Sequence, residues 1–131
     1  MSGNLPFFLT RSQIDQLHDF SLAQYGGQAG VRESGLVDSA LASAQNAFHY
    51  GGGDLFDIAA AYAFHIAEAQ AFNDGNKRTA MGAALTFIEL NLGSPTPTED
   101  ELYDAMINIA KKRLTKAGLA ELFRSAAKRK T

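Results

Sequence analysis

The sequence predicts an all-α fold, a compact bundle of about six helices. Apolar residues recur at helical spacing along most of the chain, and no segment alternates in polarity for long enough to form a strand. Capping residues and glycine- or proline-rich breaks divide the chain into pieces of helical length. Its 131 residues, 46% hydrophobic and 20% charged, are enough to bury one core, so we expect a single domain over 1–131.

The first helix is predicted over about 11–24. Thr10 and Gln13 have the spacing of a capping box, in which each side chain accepts the other residue's backbone N–H. Apolar residues then follow at helical spacing until Gly26 and the glycine after it end the pattern.

A second helix is predicted over about 34–46, after the turn-rich stretch GGQAGVRESG. Its apolar residues resume behind Ser34, which we expect to be the N-cap. The segment 47–53 then ends in three glycines. Their conformational freedom disfavours a helix and predicts a mobile connection.

Two helices, over about 55–69 and 80–92, are predicted to form the core. Apolar residues occupy nearly every side of both, which is typical of helices in the middle of a bundle. Asp54 is the expected cap of the first. Only a short loop joins the two helices, so they should run antiparallel.

The last two helices follow the break SPTPT. Thr98 and Glu101 form the clearest capping box in the sequence and predict a helix that continues to about residue 113. A final amphipathic helix is expected over about 115–127, before the basic tail KRK.

Composition and charge exclude several classes of function. The net charge of −2 provides no large positive field to attract nucleic acid or an anionic membrane. The absence of cysteine excludes disulfides, thiol nucleophiles and thiolate zinc sites, and it fits a reducing cytoplasm. The apolar runs are too short to cross a membrane, and the N-terminal MSGNLPFFLT lacks the pattern of a secretory signal. We therefore expect a soluble, cytoplasmic protein.

The loop QAFNDGNKRT, residues 70–79, lies between the two core helices. Asn76, Lys77 and Arg78 begin the second of them, where unpaired backbone N–H groups and the positive end of the helix dipole attract anions. The two cationic side chains add fixed charge. This arrangement predicts a phosphate site.

Three neighbouring residues extend the prediction to a magnesium nucleotide. Gly75 permits the positive φ that a backbone nest around a phosphate needs. A magnesium ion held by Asp74 and by phosphate oxygens would reconcile that carboxylate with the phosphates. Phe72 would anchor the loop in the core. A second interpretation stays open, a capped basic helix start without a ligand, because neither a Walker A spacing nor a GxGxxG fingerprint is present.

The stretch FNDGNKRT resembles the signature of the Fic/Doc family, HxFx[D/N]xNKR. The segments QYGGQAGVRESGLVDSAL, GDLFDIAAAYAFHIA and TAMGAALTFIELN, in this order and spacing, resemble its death-on-curing (Doc) branch, and the resemblance covers about residues 10–125. It implies a Fic-type helical bundle and transfer of a group from Mg-ATP onto a protein hydroxyl. Most Fic proteins attach AMP, whereas the Doc branch is similar to a kinase that phosphorylates a threonine of elongation factor Tu and stops translation.

The resemblance also assigns roles by motif position. Asp74 would bind magnesium, Phe72 would be structural, and the segment 47–53 would be the flap that docks the target. The residues implied to bind the phosphates and support transfer are Gly75, Asn76, Lys77 and Arg78. Many Fic proteins carry an inhibitory pattern [ST]xxxE[GN], which this chain lacks. This implies inhibition in trans by a small antitoxin, bound on the first or the last helix.

Gln70 departs from the family, which has at this position the histidine that takes the proton of the acceptor hydroxyl. An amide has no useful pKa, so Gln70 cannot act as a general base, and we expect reduced activity. Glu68 also stands where the Doc branch can carry a basic residue. Among the histidines, His65 is expected on another face, in the core or an interface, His49 in the flap could approach the loop, and His18 is expected outside the site.

The sequence is consistent with three functions. The first is a Doc-like toxin enzyme using ATP and magnesium, and the second is a regulator that binds the nucleotide but has lost transfer. Both use Asp74 and the run NKR, so turnover rather than binding separates them. The third, a nucleic-acid binder, would use the basic residues near the C-terminus, which fit solvated helix faces better. These are Lys111, Lys112, Arg113, Lys116 and the KRK tail. We therefore expect a protein substrate, and neither nucleic acid nor membrane as a direct partner.

Overall fold

Six α-helices account for the fold of the part of the chain that the structure describes. The computed structural model describes residues 5–129, and within them the only β feature is an isolated antiparallel bridge between Val31 and Phe72. The helices are α1 (Arg11–Tyr25), α2 (Ser34–His49), α3 (Leu55–Ala69), α4 (Asn76–Asn91), α5 (Glu99–Ala110) and α6 (Lys116–Ala127). The predicted all-α fold of about six helices is confirmed. The start of MSGNLPFFLT (1–4) and Lys130 of the tail lie outside the described residues.

The centre of the bundle is α3. All six residues from Ile58 to Ala63 are fully excluded from solvent, and four of them are alanines. These small side chains let α2, α4 and α6 pack closely around α3. The predicted pairing of two core helices is thus confirmed for α3 and α4. No helix within residues 5–129 combines the length and the apolar character needed to cross a membrane.

Three helix starts are capped as the sequence predicts. Complete capping boxes begin at Thr10 before α1, at Asp54 before α3 and at Thr98 before α5. In each box one side chain accepts an N–H group that the first turn of a helix cannot satisfy. The predicted C-terminus of α5 at about 113 was wrong, because the helix ends at Ala110 and the backbone at Lys112 has a positive φ of 60°.

The prediction that Ser34 caps α2 was also wrong. Glu33 holds the N-cap position without a capping side-chain bond, and Ser34 is the first helical residue. The start of α2 is instead held from outside by Arg11 of α1, which donates to the Ser34 hydroxyl at 3.0 Å and to Asp38 at 3.1 Å. The helix also runs three residues past the predicted end, to His49.

An ionic cluster fastens α6 to the start of α3. Arg124 donates to Asp54 at 2.9 Å and to Asp57 at 2.8 Å, and also pairs with Glu121 at 3.1 Å. Burial raises the pKa of Asp54, but the hydrogen bonds from Arg124 and Asp57 outweigh it and hold the pKa below its ordinary value. Asp54 therefore both caps α3 and links it to α6.

Candidate functional site

The loop 70–75 joins the C-terminus of α3 to the N-terminus of α4. Gly75 is the N-cap of α4 and has a φ of 83°, so the positive φ predicted at this glycine is confirmed. The first hydrogen bond of the helix runs from the Thr79 N–H to the Gly75 carbonyl, at 2.9 Å. The backbone N–H groups between them are thus those of an open helix start, where an anion is favoured.

Asp74 is exposed at the turn that precedes this helix start. Its Oδ2 accepts the backbone N–H of Gln28 at 2.7 Å, and its backbone carbonyl accepts the His18 Nε2–H at 2.8 Å. Within residues 5–129 no hydrogen bond reaches the other carboxylate oxygen. A Cβ on Gly27 would come within 3.0 Å of the Asp74 Cβ, so a glycine is needed for this close approach. The carboxylate is therefore oriented while one of its oxygens faces outward.

His18 belongs to this site, so the prediction that placed it outside was wrong. The ring is buried at 4% exposure and stacks on Phe72, with centroids 3.9 Å apart and planes inclined by 15°. The sequence carried a signal for the burial of His18, although not for the loop that it contacts. His18 lies four residues after Ile14, on the apolar face of α1 that turns toward the core.

Asn76 has a different task from the one that motif position implies. Its Oδ1 accepts the backbone N–H of Phe72 at 3.1 Å, and its Nδ2 donates to the backbone carbonyl of Phe72 at 2.9 Å. Phe72 itself is buried at 1% exposure. The Asn76 side chain therefore holds the loop in shape, and its backbone N–H is the group presented at the helix start.

Lys77 and Arg78 lie on the side of the loop that faces α5. The Lys77 ammonium is 5.0 Å from the ring centroid of Tyr103. The Arg78 guanidinium stacks 3.7 Å from the ring centroid of Tyr25 and donates to Glu99 at 2.9 Å. Arg78 thus has a carboxylate partner, whereas within residues 5–129 Lys77 has no ion pair.

A cavity of about 230 Å³ opens beside these residues, between α3, α4 and α5. Its walls combine apolar side chains with the polar groups of the loop. The lining residues are Ala67, Glu68, Gln70, Asn76, Lys77, Met106, Ile109 and Ala110. A pocket with an apolar wall and a cation at one end suits a ligand with a flat apolar part and an anionic part.

Gln70 ends α3 in a left-handed conformation, with φ 52° and ψ 38°. Its side chain is exposed at the edge of the cavity, and its backbone carbonyl accepts a hydrogen bond from Arg32. A side chain other than glycine rarely adopts this conformation, because the Cβ crowds the backbone. The Gln70 amide nitrogen donates to the Ala67 carbonyl of its own helix at 3.4 Å, and an amide cannot take up a proton.

The segment that borders the loop is 28–33, between α1 and α2, and not 47–53. The N–H groups of Arg32 and Glu33 both donate to the Ala71 carbonyl, at 2.7 and 3.0 Å, and the Asn73 N–H donates to Gly30 at 3.1 Å. Together with the Val31–Phe72 bridge, these bonds form a short stretch of paired extended backbone.

The prediction that 47–53 is a flap over the site was therefore wrong. This segment precedes α3 and the loop 70–75 follows it, so the two lie at opposite ends of a helix about 22 Å long. His49 is likewise remote from the loop, since its ring lies 5.8 Å from that of Phe8 and 5.2 Å from that of Phe48.

His65 does not line the cavity either. Its Nε2 is 3.1 Å from the Lys116 ammonium, between α3 and α6. Burial lowers the pKa of His65, and the positive charge of Lys116 lowers it further. The neutral ring therefore accepts the Lys116 N–H, which fits its predicted place in an interface between elements.

No group of three or more metal-ligating side chains comes together within residues 5–129. A cation at Asp74 would thus have a single protein carboxylate and would depend on other oxygen ligands. Magnesium is commonly held in this way, by one or two carboxylates together with substrate phosphates. The donor set therefore fits magnesium brought with a nucleotide better than a resident metal.

Comparison with known proteins gives concordant matches. A family model described as the Fic/DOC family matches residues 8–88. The chain is 30% identical over 117 residues to "Protein kinase doc" of Escherichia phage P1, a match that covers 88% of this chain and 92% of that protein. It is 46% identical over 71 residues to "Toxin Doc" of Mycolicibacterium smegmatis, which covers 51% of this chain and 53% of that protein.

Proposed function

This chain belongs to the Fic/DOC family, and we propose that it is a Doc-like toxin that transfers a phosphoryl group, or AMP, from Mg-ATP to a hydroxyl of a protein. The observation that carries the proposal is the placement of the oriented Asp74 carboxylate directly before the open N-terminus of α4. The cavity and the Lys77 ammonium lie beside it. A carboxylate, an anion-binding helix start and a cation at one loop are the groups that a magnesium nucleotide requires.

Each residue then has a task in binding the nucleotide. Asp74 holds the cation through the carboxylate oxygen that the Gln28 N–H leaves open. The backbone N–H groups from Asn76 onward and the Lys77 ammonium bind phosphate oxygens. The apolar wall formed by Met106 and Ile109 takes the flat base. Magnesium, when bound, neutralises phosphate charge as the bond to the leaving group lengthens.

Gln70 determines how fast the transfer proceeds. Its amide can accept a hydrogen bond from the acceptor hydroxyl and so orient it, but the proton must leave to solvent or to the phosphate. General-base catalysis is typically worth about 10²–10⁴-fold, whereas phosphoryl transfer depends mainly on positioning and charge stabilisation. We therefore propose an enzyme that is slowed, rather than abolished, by Gln70.

A toxin role implies two partners, a protein target and an antitoxin. One similar protein is named a toxin and another a protein kinase, which supports a target whose modification harms the cell. Elongation factor Tu is the target we propose first, and this places the activity in the cytoplasm. A cognate antitoxin would inhibit in trans, since the sequence lacks the inhibitory pattern found in many Fic proteins.

A second candidate is a regulator that binds the nucleotide without transferring a group from it. Two observations favour it. Gln70 removes the expected base, and Arg78 is engaged by Glu99 and Tyr25 rather than directed at the helix start. In this case the loop would bind Mg-ATP and no protein would be modified.

The test is the intact mass of elongation factor Tu after incubation with ATP, magnesium and the protein. Gln70→His should raise the rate of modification by about 10²–10⁴-fold. Asp74→Asn should abolish it, and Asp104→Asn on α5 is the matched control that should leave it unchanged. The mass added to the target distinguishes a phosphoryl group from AMP. ATP binding without any modification, even by the Gln70→His variant, would favour the regulator.

A further inference from the structure

We propose that His18 is a positioning residue for the Asp74 carboxylate, acting through the backbone of the loop. The inference rests on the proposed function, in which Asp74 holds the nucleotide's magnesium. His18 comes from α1, more than fifty residues away in sequence, and forms no part of the FNDGNKRT motif.

The first support is the hydrogen bond from the ring. The His18 Nε2 lies 2.8 Å from the Asp74 carbonyl oxygen. A carbonyl can only accept, so the Nε2 of His18 carries a proton and donates it to this bond. The ring is buried at 4% exposure, where water cannot easily replace the bond.

The second support is that the same ring holds the loop at another point. It stacks on Phe72 at 3.9 Å, and the backbone of Phe72 is in turn clamped by the Asn76 side chain. A Cβ on Gly75 would lie 3.4 Å from the His18 Cδ2, so the imidazole fills the space beneath the turn. One side chain therefore fixes residues 72, 74 and 75 relative to α1.

The consequence concerns the direction of the carboxylate. The Gln28 N–H fixes one oxygen of Asp74 at 2.7 Å, and His18 fixes the backbone from which that side chain projects. Loss of the His18 donor would leave the buried face of the turn with an unpaired carbonyl and allow the turn to shift. Because misplacement by about 1 Å can cost on the order of 10²-fold, a small shift would matter at the cation.

Two substitutions separate the hydrogen bond from the packing. His18→Phe keeps an aromatic ring on Phe72 but has no donor. His18→Gln loses the ring but places an amide nitrogen the same number of bonds from Cα as the imidazole Nε2. Ser21→Ala, on the same buried face of α1, controls for the loss of a polar group near Gly75. Thermal unfolding shows whether each variant is folded.

The measurement is the dissociation constant of a fluorescent methylanthraniloyl-ATP, with magnesium and with EDTA. We expect magnesium to tighten binding to the unaltered protein. His18→Phe should reduce that gain about tenfold and change binding in EDTA by less than about threefold, because His18 contacts Asp74 and Gly75 but neither Lys77 nor the N–H groups of residues 76–78. His18→Gln and Ser21→Ala should keep the gain within about threefold. If the role of His18 were merely structural, His18→Phe would weaken nucleotide binding equally with magnesium and with EDTA. A gain from magnesium that is not reduced in His18→Phe would overturn the proposal.

A different result would count against the proposed function instead. If magnesium does not tighten nucleotide binding to the unaltered protein, Asp74 is not a nucleotide-linked cation ligand. Hydrogen exchange of two amides in the free protein then decides the role of His18: that of Asn73, which donates to the Gly30 carbonyl, and that of Thr79, which donates to the Gly75 carbonyl. Exchange about tenfold faster in His18→Phe than in His18→Gln supports positioning of the turn, and equal exchange overturns it.

Discussion

The side chain of Asn76 closes a ring on the backbone of Phe72, accepting its N–H at 3.1 Å and donating to its carbonyl at 2.9 Å. In Asn76→Asp one carboxylate oxygen would replace the donor and face that carbonyl. We expect a loss of about 1–3 kcal/mol in the free energy of unfolding, measured by urea denaturation. Gln16→Glu, the same change of amide to acid on an exposed position of α1, should cost less than about 0.5 kcal/mol. Equal losses in the two variants would contradict the assignment.

Tyr62 makes the one buried side-chain contact that ties the N-terminal segment to α3 among the described hydrogen bonds. Its hydroxyl oxygen accepts the Leu9 N–H at 2.9 Å, and the side chain is fully buried. Tyr62→Phe should lower the free energy of unfolding by about 1–3 kcal/mol, because the Leu9 N–H would remain buried without an acceptor. Tyr50→Phe is the matched control, since Tyr50 is 87% exposed and should tolerate the loss of its hydroxyl. A neutral Tyr62→Phe would mean that water reaches Leu9.

Gln70 is held in a left-handed conformation that suits glycine better. Gln70→Gly should therefore stabilise the protein by about 1 kcal/mol, measured as the shift of the thermal unfolding midpoint. Lys112→Gly, at the other non-glycine residue with positive φ in the described chain, should shift it in the same direction. Gln16→Gly, the same change at an exposed position in the middle of α1, should destabilise by about 0.5–1 kcal/mol. If Gln70→Gly destabilises the protein, the Gln70 side chain stabilises the fold by more than the left-handed backbone at this residue destabilises it.

The pair of Glu101 and Arg129 should make stability depend on pH in the acid range. Arg129 donates to both carboxylate oxygens, at 2.6 and 2.7 Å. These bonds, together with the Thr98 N–H, lower the pKa of Glu101 to about 2 from 4.5. Because the folded pKa is the lower one, the contribution is present above about pH 4.5 and is lost as the pH falls toward 2.

Glu101→Gln keeps an acceptor for the capping box but removes the charge. Its unfolding midpoint should consequently change less between pH 5 and 2.5 than that of the unaltered protein. Glu89→Gln, at an exposed position near the end of α4, should leave the profile unchanged. Parallel profiles for the Glu101 variant and the unaltered protein would show that the Arg129 pair does not persist in solution.

The pKa of His65 should respond in opposite directions to two neutralising substitutions. Burial and then Lys116 lower it from 6.5, whereas Glu68 raises it. Lys116→Met should therefore raise the pKa, and Glu68→Gln should lower it further, as measured by NMR titration of the ring. Since the folded pKa lies below the unfolded one, this residue favours folding above about pH 6.5, and that contribution is lost as the pH falls. Movement in the same direction in both variants would rule out the arrangement.

The fold was predictable where local signals agree. The starts of α1, α3 and α5 could be predicted because each capping box is complete within four residues, beginning at Thr10, Asp54 and Thr98. The predicted N-cap at Ser34 was wrong because its hydroxyl accepts a hydrogen bond from Arg11 of α1. No local sequence pattern indicates this partner from another helix. The fold class thus follows from periodicity, whereas this boundary depends on a tertiary contact.

The site was predictable in its motif but not in its surroundings. The positive φ of Gly75 could be predicted because a glycine before a basic helix start is a local signal. The place of His18 could not be fixed, since a histidine on the apolar face of α1 gives no indication of which loop it will meet. The position of segment 47–53 could not be predicted either. Its glycines are typical of a mobile flap, but the segment and the loop lie at opposite ends of α3.

Because segment 47–53 lies far from the loop 70–75, it is a suitable site for attaching a label or a second protein. Gly52 is exposed, and nothing lies within 4 Å of where its side chain would be. Exposed loop tips of this kind accept inserted chains most readily. A fluorophore, an affinity tag or a whole reporter domain inserted at Gly52 would lie about 22 Å from the loop 70–75, across the length of α3. Such an insertion would allow the protein to be followed in the cell without a change in the residues of the loop 70–75.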